Sequence, residues 1–152
     1  MYGIIATWRM ALEGISKADS MLKNNKSAAD SIEEAIKAVE DFEYYKSVGY
    51  GGLPNEEMEV ELDAAFMDGD TLEFGCVGGI KDFANPVSIA RSLMHYDANN
   101  FLIGQGAEKY ASRHGFERKT MLTDRAKIHY HNRTKEITNT ELKPYSGHDT
   151  VG

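Results

Sequence analysis

The hydrophobic pattern opens with a short apolar run and continues at helical spacing. Residues Tyr2–Trp8 are apolar and include β-branched side chains, which predicts a buried strand. Apolar residues then recur every three or four positions from Ala11 to Leu22, which predicts a first helix. Ser27 can cap a second helix, with Asp30 three residues further on. The apolar stripe of this second helix is formed by Ala28, Ile32, Ala35, Ile36 and Val39.

Glycine and proline interrupt this pattern in the next segment. Residues Ser47–Asn55 contain three glycines and a proline, which predicts a loop with positive φ at some positions. Polar and apolar residues then alternate from Glu59 to Phe66, and Asp68-Gly69-Asp70 can turn the chain. With Leu72–Ile80 as the returning strand, the pattern predicts a β-hairpin.

The remaining elements are short. Asn85 followed by Pro86 predicts an N-cap and the first position of a third helix. Phe101–Gly104 reads as a short strand, and Ala107–His114 as a helix ended by a glycine. A last helix is predicted from Asp124 to Asn132, with a polar linker after it.

Composition limits the classes of function. The chain has 152 residues, 41% of them hydrophobic and 27% charged, as expected of one globular domain. A formal net charge of -7 offers no basic surface for a phosphate backbone, which argues against nucleic acid as a partner. Cys76 is the lone cysteine, and residues near Met1 show neither a signal peptide nor a membrane segment. We therefore expect a cytoplasmic protein without membrane association.

Two patterns that resemble cofactor sites are better explained otherwise. His129 and His131 are two residues apart on a predicted helix, so their side chains diverge, and no third ligand is spaced nearby. The glycines between Gly49 and Gly52 lack the lysine and hydroxyl residue of a phosphate-binding loop. Cys76 fits a small buried hydrophobic residue in a strand. We expect no metal ion or other cofactor.

Five segments occur in the order in which glycosylasparaginases carry them. They are Thr7-Trp8, Ser47-Val48-Gly49-Tyr50-Gly51-Gly52, Leu62-Asp63-Ala64 with Met67-Asp68, Asn85-Pro86-Val87-Ser88-Ile89-Ala90-Arg91, and His148-Asp149-Thr150-Val151-Gly152. The chain thus resembles the glycosylasparaginase family of N-terminal nucleophile hydrolases. A single tetrapeptide would be weak support, whereas five ordered segments extend from Thr7 to Gly152.

The resemblance implies an α+β fold, the four-layer αββα sandwich of these hydrolases. Residues 1–149 would be the α-subunit portion of one domain, and residues 150–152 the first residues of the β-subunit. The expected partner is that β-subunit, which begins at Thr150, and the intact enzyme would be an (αβ)2 heterotetramer. The chain alone is expected to leave sheet edges and apolar faces uncovered.

The resemblance also implies a catalytic nucleophile made by autoproteolysis. The precursor would cleave itself between Asp149 and Thr150, so that Thr150 provides both the attacking hydroxyl and, through its new α-amine, the base. His148 and Asp149 would assist this autoprocessing, although as isolated residues both also fit a linker. Thr150 Oγ would then attack the side-chain amide of an asparagine derivative.

Two further residues are expected at the substrate. The resemblance puts Trp8 at the border of the substrate pocket and Ser47 near the nucleophile, although a lone tryptophan is often a core anchor. The substrate would be N4-(β-N-acetylglucosaminyl)-L-asparagine. An L-asparaginase or β-aspartyl peptidase of the same family, and a truncated fragment without activity, are the alternatives.

Overall fold

The computed structural model describes residues 1–139 of the chain. This part of the chain forms a short 3-10 helix, five α-helices and three strands. In chain order they are the 3-10 helix Arg9–Ala11, α1 Leu12–Lys23, α2 Ala28–Glu40, β1 Glu61–Met67, β2 Phe74–Lys81, α3 Pro86–Leu93, β3 Phe101–Ile103, α4 Gly104–Arg113 and α5 Asp124–Asn139. No helix described over these residues combines the length and the apolar character needed to cross a bilayer.

The three described strands form one sheet in the order β1-β2-β3. β1 and β2 pair in antiparallel orientation, which confirms the predicted hairpin. The side chain of Asp68 holds its turn by accepting a hydrogen bond from the Asp70 backbone N–H at 2.8 Å. β3 pairs with β2 in parallel orientation, with Cys76 opposite Phe101, after a connection through α3.

One face of this sheet carries helices. α3 packs against β1 and β2, and α4 packs against β2 and β3. α1 and α2 pack on each other, and α2 also reaches α3. The approach of α3 to β2 is so close that a Cβ on Gly75 would stand 2.0 Å from the Ala90 carbonyl oxygen. A glycine is therefore required at this point of the sheet.

The main hydrophobic core lies between these helices and the sheet. Its side chains come from all three strands, α3, α4 and the segment before α5. The largest fully buried members are Ile80, Phe83, Ile89, Leu93 and Met121. This core positions the strand ends and the start of α3, where the candidate site lies.

The opposite face of the sheet remains largely uncovered within residues 1–139. Met67 is 60% exposed, Phe101 56% and Ile103 67%, and all three lie on that face with Phe74. The mixed α/β class is thus confirmed over the described residues. The four-layer sandwich stays a prediction, because only one sheet and its helices are described.

The strand predicted at the N-terminus is absent from the structure. Residues 1–8 form no regular element, and Ile5 is 94% exposed. A strand needs a neighbouring strand to satisfy its backbone N–H and C=O groups, and none of the described strands pairs with this segment. The prediction of a buried strand over Tyr2–Trp8 is therefore wrong for the described structure.

One helix cap and one helix boundary also differ from the prediction. Asn85 precedes α3 as predicted, and Pro86 is the first helical residue, but the Asn85 side chain makes no capping hydrogen bond. Its amide donates instead to Glu40 and Asp41 at the end of α2. α5 continues to Asn139, so the residues after Asn132 that were predicted as a linker extend the helix.

Candidate functional site

A cleft of about 960 Å³ lies where the sheet meets the loop between α2 and β1. Its walls come from the end of α2, the loop, all three strands, the start of α3 and one residue of α5. Polar and charged side chains in the wall are Glu40, Lys46, Ser47, Glu61, Asp63 and Arg133. The cleft thus combines an apolar sheet surface with a few charged groups, as small-molecule sites do.

The loop that carries Ser47 is held by backbone hydrogen bonds at several points. The Tyr50 N–H donates to the Glu40 carbonyl oxygen at 2.7 Å, and the Leu53 N–H donates to the Lys46 carbonyl oxygen at 2.8 Å. Gly49 has a φ of +61°, and a Cβ there would stand 2.0 Å from the Glu40 carbonyl oxygen. The loop therefore lies directly on the end of α2, and this contact fixes where Ser47 enters the cleft wall.

Glu40 is a buried carboxylate in the same wall. Its residue is 5% exposed, and its two oxygens accept from the Val87 backbone N–H and from the Asn85 side-chain amide, each at 3.3 Å. Burial raises the pKa of Glu40 to about 7, although the hydrogen bonds from Asn85 and Val87 oppose the shift. Glu40 thus changes its charge near neutral pH.

Asp63 supplies a second carboxylate, at an irregular point of the sheet. The register of β1 against β2 shifts between Leu62 and Ala64, and Asp63 Oδ1 accepts from the Gly79 backbone N–H at 2.7 Å across this shift. Gly79 has a φ of +57°. The hydrogen bond fixes both the irregular strand and the side chain of Asp63.

Trp8 does not belong to the residues that line the cleft. It stands at the start of the 3-10 helix and is 38% exposed. Its neighbours Ala6, Met10 and Ala11 pack with Val39 and Val48 in a second, smaller core cluster. The segment carrying Trp8 is therefore attached to the loop carrying Ser47, and of these two predicted substrate residues Ser47 alone lines the cleft.

The other predicted site residues lie outside the described part of the chain. These are His148, Asp149 and Thr150, the residues expected at the scissile bond. Over residues 1–139, no group of three or more histidine, cysteine, aspartate or glutamate side chains is arranged to hold a metal ion. The described chemistry of the cleft is therefore that of Ser47, the carboxylates and the two basic side chains.

The family of the chain follows from its sequence as a whole. The family model described as Asparaginase matches residues 6–150. The chain belongs to the asparaginase family. Its match takes in both the Ser47 loop and the segment that ends at Thr150.

Curated relatives of this asparaginase-family chain carry three kinds of name. An N(4)-(β-N-acetylglucosaminyl)-L-asparaginase of Elizabethkingia miricola is 31% identical over 98% of this chain and 44% of its own length. An isoaspartyl peptidase/L-asparaginase of Rattus norvegicus is 37% identical over 77% of this chain and 37% of its own length. A plant-type L-asparaginase of Thermococcus kodakarensis is 38% identical over 80% of this chain and 35% of its own length. The chain spans less than half the length of these relatives.

Sequence reasoning missed Glu40 at the site of this asparaginase-family chain. Its signal lay in the helical spacing, because Glu40 follows Ile36 by four residues and so continues the apolar stripe of α2. A carboxylate on the apolar side of a helix must be buried with hydrogen-bond donors or lie at the helix end. Glu40 does both.

Proposed function

We propose that the chain is the N-terminal portion of an amidohydrolase that cleaves the side-chain amide of asparagine derivatives. The observation that carries the proposal is Ser47 in the wall of the cleft, on a loop anchored to α2. Similarity to the Elizabethkingia miricola protein over 98% of the chain favours N4-(β-N-acetylglucosaminyl)-L-asparagine as the substrate. Because the chain spans less than half of that relative, the activity belongs to a longer assembly.

In this proposal Thr150 becomes the nucleophile by autoproteolysis. Its hydroxyl attacks the carbonyl carbon of Asp149, the peptide bond rearranges to an ester, and water hydrolyses that ester. The Asp149 carboxylate takes the proton or orients the group, and His148 positions the turn. The released α-amine has an ordinary pKa of about 7.7 to 8.0, so part of it is neutral near neutral pH and can act as the base.

Substrate hydrolysis then uses the same hydroxyl. Thr150 Oγ, deprotonated by its own α-amine, attacks the amide carbonyl of the asparagine side chain, and the amine leaves with a proton. Water hydrolyses the resulting β-aspartyl ester and regenerates Thr150. Ser47 is proposed to donate a hydrogen bond to Thr150, and Trp8 to border the substrate from the segment packed beside the Ser47 loop.

The proposed partner is the polypeptide that begins at Thr150. Its first strand would pack on the uncovered face of the sheet, where Phe101 and Ile103 are exposed. This arrangement would bring Thr150 to the cleft and complete the four-layer αββα sandwich. Two such pairs would form the (αβ)2 heterotetramer.

Two alternatives accompany this function. The similarity to isoaspartyl peptidase/L-asparaginase and plant-type L-asparaginase sequences favours β-aspartyl dipeptides or asparagine as substrates of the same nucleophile. A truncated fragment without activity is the other alternative. The substrate and the partner polypeptide distinguish these functions.

Denaturing mass spectrometry of the purified protein and an assay of aspartate release test the proposal together. We expect a polypeptide that begins with Thr150, and hydrolysis of glycosylated asparagine in preference to asparagine and β-aspartyl dipeptides. Thr150→Ala should abolish cleavage and turnover, whereas Thr71→Ala, at an exposed turn, should leave both unchanged. No turnover of any of the three substrates with Thr150 at a free N-terminus would contradict the enzymatic function.

A further inference from the structure

The strongest unassigned feature of the molecule is the junction made by Glu40. Its backbone carbonyl oxygen accepts from the Tyr50 N–H in the Ser47 loop, and its carboxylate accepts from Val87 and Asn85 at the start of α3. Glu40 is itself the last residue of α2. One residue therefore connects a helix end, a helix start and the loop that lines the cleft.

The contacts of the loop with Glu40 are unusually close. A Cβ at Gly49 would stand within 2.6 Å of three backbone atoms of Glu40. Displacement of the Glu40 backbone therefore displaces the loop, and Ser47 lies two residues before Gly49. The position of Ser47 in the cleft wall depends on the position of Glu40.

The carboxylate is suited to this junction because Val87 and Asn85 both present hydrogen-bond donors to it. Val87 offers a backbone N–H and Asn85 offers a side-chain amide, and the two carboxylate oxygens accept one hydrogen bond each. Asn85 also donates to Asp41 Oδ1 at 3.0 Å, which fixes the orientation of its amide. A glutamine at position 40 would direct an N–H2 group at one of these donors and lose that hydrogen bond.

We propose that Glu40 is a positioning residue, which fixes Ser47 in the cleft by joining the end of α2 to both the Ser47 loop and the start of α3. Only the expected effect of Glu40 on turnover rests on the proposed function. Its structural part concerns the described chain alone. In this role Glu40 acts through Ser47 and the loop and is not a catalytic residue.

Amide hydrogen exchange of the chain itself tests the structural part. In Glu40→Gln, the Tyr50 and Leu53 amides should exchange about tenfold faster, because local opening of the loop becomes more favourable. Amides of β2 that pair with β1 should keep their rates. Glu34→Gln, six residues earlier on α2 and paired with Lys17 and Lys37, is the matched control and should change neither.

A second variant guards against a simple folding defect. Asn85→Gly removes the amide that Glu40 accepts from, while glycine tolerates the left-handed backbone at this position, where φ is 50°. We expect the same faster exchange at Tyr50 with a cooperative unfolding transition retained. Unchanged exchange at Tyr50 in both variants, or equal acceleration over the whole sheet, overturns the proposal.

Kinetics of the complete enzyme, the chain together with the polypeptide beginning at Thr150, test the catalytic consequence. Glu40→Gln should lower kcat about tenfold with KM within about twofold, as expected when a group near the nucleophile is misplaced. A kcat equal to that of Glu34→Gln overturns the positioning role. If the wild-type assembly turns over no substrate, the proposed function fails, and amide exchange still decides whether Glu40 positions the loop.

Discussion

Glu40 makes the stability of the fold depend on pH between about 4.5 and 7. Burial raises the pKa of its carboxyl from 4.5 to about 7, so the folded chain keeps a proton that the unfolded chain has already lost. The proton on Glu40 therefore contributes to the free energy of unfolding. This contribution is fully present below pH 4.5 and is lost as the pH rises to about 7. The shift corresponds to roughly 3 kcal/mol at most.

Urea unfolding between pH 4.5 and 7.5 measures this effect. We expect the free energy of unfolding of the wild type to fall relative to that of Glu40→Gln by roughly 3 kcal/mol across the interval. Glu34→Gln is the control, because its hydrogen bonds with Lys17 and Lys37 lower the pKa of Glu34 and place its titration at more acidic pH. Parallel curves for the wild type and Glu40→Gln would contradict the assignment.

Gly49 is the second residue whose identity is restricted by its surroundings, because no side chain fits there. Gly49→Ala should lower the free energy of unfolding by about 2 to 4 kcal/mol, since the new Cβ is strained by positive φ and meets the Glu40 backbone. Gly69→Ala is the matched control, because a Cβ there meets nothing within 4 Å. Thermal or urea unfolding compares the two variants, and a similar small effect at both positions would show that the loop adapts.

At the scale of elements, α2 and α3 are joined by polar contacts beside the site. Arg91 of α3 donates to Asp30 at 2.7 Å and to Glu33, and Ser88 also donates to Glu33. The guanidinium lies 5.6 Å from the centre of the Phe66 ring. Because Glu33 and Arg91 are partly shielded from water, this network is screened less than an exposed ion pair.

Arg91→Met should therefore cost about 1 to 2 kcal/mol of unfolding free energy, since it removes two ion pairs and leaves Glu33 without its cation. Lys23→Met provides the comparison, because the Lys23–Asp19 pair is an exposed i,i+4 pair on α1 and should contribute at most about 0.5 kcal/mol. Urea unfolding at low and high salt measures both. Equal losses in the two variants would contradict a special role for the α2–α3 network.

The helices and the hairpin could be predicted because their signals are local. Ser27 caps α2 through the Asp30 N–H as expected, and Gly115 follows the end of α4 with a φ of +81°. The predicted apolar stripe of α2 matches the buried side of the helix only in part. Ile32 is 44% exposed while Ser31 is fully buried, because the packing of α1 and α3 decides which side of the helix is covered.

Errors arose where a structure depends on distant residues. The Tyr2–Trp8 segment has strand composition, but the described chain provides no strand to pair with it. Asn85 is a residue type that favours the N-cap position. Its side-chain amide instead donates to Glu40 and Asp41, which lie 45 and 44 residues away in the sequence. Spacing along the sequence carries no information about such partners.

Some residues of the candidate site could likewise be predicted from the sequence and others could not. Ser47 could be predicted from the motif of its loop, and it lines the cleft. Glu40 could not, since its burial results from the meeting of α2, α3 and the loop. The roles of Thr150, His148 and Asp149 stay predictions, because these residues lie outside the described part of the chain.

At the scale of the molecule, the uncovered sheet face should bind hydrophobic dye. Phe101 and Ile103 are 56% and 67% exposed beside Phe74, so the isolated chain should increase the fluorescence of an anilinonaphthalene dye. Ile103→Ser should reduce this signal, whereas Tyr44→Ser, at an exposed aromatic side chain outside the sheet, should not. Addition of the polypeptide beginning at Thr150 should also reduce it. Equal dye binding by all samples would contradict an accessible apolar face.

The shifted register between β1 and β2 has a consequence for chimaeric proteins. Asp63 stands opposite both Gly78 and Gly79, so the buried residues of β2 are Gly75 and Val77 before this point and Ile80 after it. The inward side therefore changes from odd to even numbers within one strand. A strand exchanged with a homologue must keep both glycines, because deletion of one would restore regular alternation with Ile80 still inward, but would remove the bulge whose Gly79 N–H holds the Asp63 carboxylate.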